Sequence, residues 1–110
     1  MNDRQRSFLG LLGLGVRARR VAVGVEAARE ALRRGAAAAL VLPSDASRRA
    51  RERLIPLAGH KRVPLYTGPD AARLGSALGR PPVHGVAVLD GRLARGLRDY
   101  LAADGRGETG

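Results

Sequence analysis

Apolar residues recur along this chain in two alternating rhythms. Phe8, Leu9, Leu11, Leu12, Leu14 and Val16 fall at helical spacing over residues 7–16, with Gly10, Gly13 and Gly15 among them, after a short polar lead at 1–6. Glycine inside a helix costs roughly 1 kcal/mol against alanine, so three of them predict close packing against another element. A β-branched run at 20–23 predicts a short strand. Residues 25–34 put Val25, Ala28, Ala31 and Leu32 on one helical stripe, with Gly35 as the stop. The unbroken apolar run 37–42 predicts a buried strand.

The second half repeats the alternation. Ser44 or Ser47 can cap a basic helix with Ala50, Leu54, Leu57 and Ala58 inward, Arg48, Arg49, Arg51 and Arg53 outward, a kink or restart at Pro56 and an end at Gly59. Residues 63–66 predict a third strand, Asp70 a capped helix over 71–78, 86–89 a fourth strand, and Asp90 a last helix running to about Leu101. Helices alternating with apolar strands place the chain in the α/β class, with one central sheet between helical layers. At 110 residues there is room for one core, taken as 1–101, with 102–110 as a disordered tail.

Charge sharpens this picture. Twenty basic residues face ten acidic ones, a net +10 with a pI near 11.7. Nineteen of the twenty are arginine, which a GC-rich genome alone can produce, but the net charge survives that objection. It is uneven: residues 1–35 carry eight bases against three acids, residues 36–69 six against two, and residues 70–110 six against five. A field of this kind fits a polyanionic partner. With no cysteine there is no disulfide, thiol nucleophile or Cys-based metal site, and His60 and His84 lack acid partners for one. No apolar run is long enough to span a bilayer, and the amino-terminal residues lack a secretory pattern, so a cytoplasmic protein without membrane contact is expected. No nucleophile–base–acid set and no phosphate-loop glycine pattern is present, so neither an enzyme nor a cofactor is expected.

The most informative segment is Arg17-Ala18-Arg19-Arg20-Val21-Ala22-Val23-Gly24, which leads directly into the helix at Val25. A glycine at a helix start lets another backbone approach, and the first helical turn carries unpaired N–H groups with a partial positive charge. Such a turn seats a phosphate, and on this chain a nucleic-acid phosphate is expected. Surface ion pairs compete as the role of Glu26, Glu30 and Arg34, and a rigid loop as that of Pro82, Val83 and His84.

Taken in order, six groups of residues resemble a known family. They are Leu11-Leu12-Gly13-Leu14 with Arg17-Ala18-Arg19-Arg20-Val21, the helix between Gly24 and Gly35, Leu40-Val41-Leu42 with Asp45-Ala46-Ser47, Val63-Pro64-Leu65-Tyr66, Leu74-Gly75-Ser76-Ala77-Leu78-Gly79 and Val86-Ala87-Val88. Over about residues 8 to 101 the chain resembles the L-seven-Ae-type ribosomal proteins, the kink-turn RNA-binding family, and within it the small bacterial YlxQ-like branch. The resemblance implies a three-layer α/β/α sandwich on a mixed four-stranded sheet, binding a sharply bent internal loop in structured RNA, with ribosomal RNA or the ribosome as partner and the protein acting as a monomer. It implies that Gly24 to Arg34 enters the RNA groove and that the loop from Arg80 to Gly85 covers a flipped-out nucleotide. The family's glycine falls on Gly24, a basic position upstream on Arg20 and another at the helix end on Arg34. Its Asn-Glu pair falls on Glu26 and Ala27, and its lysine one turn later on Glu30. The RNA-binding residues expected are therefore Arg17, Arg19, Arg20, Gly24, Val25, Glu26, Ala27, Glu30, Arg34, Pro82, Val83 and His84. The alternative is a protein–protein adaptor on the same fold, with Glu26 and Glu30 turned to a basic partner. A detached recognition domain of an RNA methyltransferase would also carry a similar fold.

Overall fold

The computed structural model describes residues 2–102, so the tail expected from 102 onward lies outside the described residues except for Ala102, which still belongs to the last helix. Five helices and four strands alternate: α1 (Asp3–Arg17), β1 (Val21–Val23), α2 (Val25–Arg33), β2 (Ala39–Pro43), α3 (Arg48–His60), β3 (Leu65–Gly68), α4 (Ala71–Ala77), β4 (Val86–Val88) and α5 (Gly91–Ala102). The strands form one mixed sheet in the order β1-β4-β2-β3. β4 runs antiparallel to both β1 and β2, and β2 pairs parallel with β3.

Strand alternation builds the layers. Ala39, Val41, Val86 and Val88 point to one face and pack with Phe8, Leu9 and Leu12 of α1, Leu74 of α4, and Ala94 and Leu97 of α5. Leu40, Leu42 and Ala87 point to the other and pack with Ala28, Ala31 and Leu32 of α2 and Leu54 and Ala58 of α3. Side chains of period two on central strands thus feed two separate cores, which is why the run 37–42 reads as continuously apolar. The expected α/β/α sandwich on a mixed four-stranded sheet is the observed one.

Several boundaries differ from the sequence reading. The segment 1–6 is not a polar lead: α1 starts at Asp3, and the Asn2 side chain accepts from the Gln5 amide at 2.8 Å. Pro56 does not restart α3, which runs through it to His60 rather than ending at Gly59. Proline removes one N–H and typically costs about 3 kcal/mol in a helix interior, but Leu54 and Ala58 bury on either side of it and hold the helix on α2. The third strand begins at Leu65, two residues later than expected, because its parallel register with β2 starts at the Leu40–Leu65 pair.

Four helices end in the same turn. The left-handed residue is Arg19 (φ 61°), Gly35 (φ 74°), Arg62 (φ 58°) or Gly79 (φ 70°). In each, the next amide reaches back to the helix: Arg20 to Gly15, Ala36 to Ala31, Val63 to Ala58 and Arg80 to Gly75, at 2.8 to 2.9 Å. This is the six-residue glycine-favouring cap, filled twice by arginine. Of the three α1 glycines expected to pack closely, only Gly15 does: a Cβ there would lie 2.5 Å from Leu93 Cδ2 and 2.8 Å from Val21 Cγ2, whereas at Gly10 it would meet nothing. Gly10→Ala and Arg62→Gly should therefore each stabilise the fold by about 1 kcal/mol, one through helix propensity and one through relief of the left-handed conformation. A thermal melt that rises by several degrees for each variant checks this.

Candidate nucleic-acid interface

Three segments meet at one corner of the sandwich. Gly24 opens α2 with φ 103° and ψ 158°, a conformation almost confined to glycine. Its N–H donates to the Gly85 carbonyl at 2.8 Å, which ties the start of α2 to the loop 79–85 ahead of β4. Its carbonyl accepts from the Ala28 amide at 2.9 Å, the first bond of the helix, and no side chain caps the turn. Gly85 in turn lies against α3, where a Cβ would come within 2.6 Å of Leu54 Cδ1. The loop reaches the start of α3 as well: the Ser47 amide donates to His84 Nδ1 at 3.0 Å, while the Ser47 hydroxyl accepts from the Ala50 amide at 3.1 Å and caps the helix.

A third link is ionic. Glu26, exposed on the first turn of α2, takes Arg49 on Oε2 at 2.6 Å and Arg53 on Oε1 at 3.0 Å. These hydrogen bonds, Arg49 first and Arg53 next, hold its carboxyl below the usual glutamate value of 4.5. Arg53 Nε is enclosed without an acceptor among the described residues. Glu30, one turn on, is gripped through both oxygens by Arg33 at 3.0 and 2.6 Å and lies 3.7 Å from Arg34 Nε. The Arg33 bond is the main cause of its lowered pKa. Both acids on the exposed face of α2 are thus neutralised by guanidinium groups.

The expected site residues divide accordingly. Gly24, Val25, Glu26 and Ala27 share the corner with the loop, while Glu30 and Arg34 continue along α2. Pro82 is exposed. Val83 is buried in the core, with its amide bonded to the Ala71 carbonyl, and His84 is half-buried and engaged with Ser47. Arg17, Arg19 and Arg20 do not abut the helix start. Val21 pairs with Val88 and Val23 with Val86, so the arginines sit at the opposite end of β1, about 10 Å of strand away. Arg20 pairs with Asp90, whose carboxyl also accepts from the Arg92 and Leu93 amides at the head of α5. Arg17 lines a groove of about 370 Å³ between α1 and α4. Asp45, beside the α3 cap in sequence, serves α4 instead by accepting from the Ala71 amide at 2.8 Å. In place of the upstream arginines the corner gains Arg49 and Arg53, expected only to face outward from α3. Their four-residue spacing puts them on one side of α3, a signal for a shared anionic partner.

Asp70 and Asp90, like the two glutamates, titrate below their ordinary value of 3.8, chiefly through backbone amides at helix starts. Groups with depressed folded values stabilise above their unfolded pKa and lose that contribution as pH falls through the folded one. The thermal midpoint should be flat above the ordinary glutamate value of 4.5 and fall steadily below it, which a pH series of melts checks.

Among the described residues no cluster of three or more His, Asp or Glu could hold a metal, and no helix is long and apolar enough to cross a membrane. The fold is that of the structure of a protein with unknown function from Bacillus halodurans C: TM-score 0.79, 28% identity, covering 86% of this chain and 96% of the other. A Giardia lamblia 15.5kD RNA binding protein has the same fold at TM-score 0.71 and 19% identity, over 94% of this chain and 89% of that one. No curated protein matches the sequence. The family model described as ribosomal protein L7Ae/L30e/S12e/Gadd45 matches residues 7–98, nearly the whole described domain. The chain belongs to that family.

Proposed function

We propose that this protein binds a sharply bent internal loop of structured RNA, of the kink-turn type and in ribosomal RNA, without catalysing a reaction. The observation that carries the reading is the corner itself: a helix start with no side-chain cap, held open by Gly24 and locked to the loop 79–85 through Gly85. Uncapped amides at a helix start are phosphate ligands. Acids next to them would repel a phosphate, but Arg49 and Arg53 engage Glu26, and Arg33 engages Glu30. The exposed Pro82 at the loop tip offers a flat apolar surface to an unstacked base. The family's name and the RNA-binding neighbour point the same way. An adaptor reading that turns Glu26 and Glu30 to a basic partner is not favoured, because both carboxylates already hold guanidinium groups.

The test is a titration of a kink-turn RNA against a straight duplex of equal length at several salt concentrations. If four to six phosphates are neutralised, log K should fall against log salt with a slope of roughly −3 to −5. The kink-turn should bind at least about tenfold tighter, and Arg34→Ala should weaken it by about 1 kcal/mol. Equal, weak binding to both RNAs would contradict the proposal.

A further inference from the structure

Away from that corner, two residues break the polar pattern of their elements in the same place. Ile55 lies on the outer side of α3 with 38% of its surface exposed, and Leu65 opens the edge strand β3 with 41% exposed. A large apolar residue is out of place at an exposed helix position, and again on the open side of an edge strand. Here the two share one depression of about 210 Å³, also lined by Pro43 and Ala46. It continues into a second of about 590 Å³ along α3, walled by Pro56, Arg48 and Glu52. Ile55 and Arg51 line both. Arg51 has no salt bridge among the described residues, whereas Arg48 is paired with Glu52. Pro56 has no N–H to return to the Glu52 carbonyl, so an acceptor of the helix backbone is left over on the same wall.

We propose that this α3–β3 groove docks an acidic amphipathic helix of a protein partner. The apolar pair supplies the seat for its hydrophobic stripe, and Arg51 a desolvatable charge for its acid. An added strand is disfavoured because Pro64 and Pro69 bracket β3 and leave four residues of edge. RNA is disfavoured because the lining is mostly apolar and carries the Glu52 carboxylate, with Arg48 already paired to it, so that Arg51 is its single unpaired cation among the described residues. The groove lies on the side of α3 that carries Arg48, Arg51 and Ile55, whereas Arg49 and Arg53 on another side reach Glu26 at the corner, so the partner and the RNA are assigned different faces of that helix. The protein would then carry an RNA and an acidic protein at once, a role that does not depend on which RNA is bound.

The test uses the whole chain without RNA and two fluorescent 16-residue peptides of the same glutamate and leucine content: one with leucine at helical i, i+3, i+4, i+7 spacing, one scrambled. The patterned peptide should bind at least about tenfold tighter than the scrambled one, and amide NMR shifts should centre on residues 51, 55 and 65. The double variant Ile55→Ser, Leu65→Thr should lose about tenfold in peptide affinity, and so should Arg51→Glu, while the double variant keeps its kink-turn affinity. Both apolar positions are exposed, so the variants are expected to fold, which their melts verify. Equal binding of the two peptides, an undiminished affinity in the double variant, or displacement of the peptide from these residues by RNA would each overturn the proposal.

Discussion

Gly75→Ala should destabilise the protein by on the order of 3 kcal/mol, lowering the thermal midpoint by roughly 10 °C or more. A Cβ at Gly75 would stand 2.1 Å from the Pro81 carbonyl oxygen, 2.7 Å from its carbon and 2.9 Å from the Arg80 oxygen. These are backbone atoms, which no rotamer change can withdraw. The same glycine carbonyl accepts from the Arg80 amide and closes the end of α4. The loop 79–85 therefore rests directly on α4, and pushing it off moves Pro82 and Gly85 together. RNA affinity should drop along with stability, since the loop is half of the proposed interface. Ser76→Ala, one residue on and exposed, is the control and should leave the melt unchanged.

Gly24→Val separates binding from folding. Nothing lies within 4 Å of a Cβ there, so the penalty is conformational: a side chain at φ 103°. It should amount to about 1–3 kcal/mol. Relaxing that strain turns the Gly24 amide away from Gly85 and uncouples α2 from the loop. Kink-turn affinity should fall by at least about tenfold at a temperature where the variant is still folded. Leu97→Ala, a cavity variant in the core under α5, should lose about 2–5 kcal/mol of stability yet bind RNA normally when folded. If the two variants lose RNA affinity equally, the corner has no special role.

Much of this was legible in the sequence, for definite reasons. Element types follow from periodicity, and the glycine stop at 35, the caps at Asp70 and Asp90 and a serine cap for α3, which falls on Ser47 of the two candidates, are local chemistry. What failed was non-local. Pro56 reads as a break because the burial of Leu54 and Ala58 that overrides it is tertiary. Arg19 and Arg62 in left-handed turns carry no glycine signal. The upstream arginines looked adjacent to Gly24 because they are close in sequence, but an extended strand spends that closeness as distance. Arg49 and Arg53 looked remote for the opposite reason: they lie over twenty residues from Glu26 and touch it only because α2 and α3 pack on the same face. Gly75 sits inside the Leu74–Gly79 segment, but nothing local marks it as the seat of the loop. Ile55 and Leu65 each look like an ordinary apolar position until the fold places them side by side at an edge.

The most direct test is an amide NMR titration of the isotope-labelled protein with a kink-turn RNA in low salt. Shifts concentrated at Gly24, Ala27, His84 and Gly85, with α5 and the α1 face silent, are the predicted result. Shifts centred on α1 and α5, or none even in dilute buffer, would contradict it.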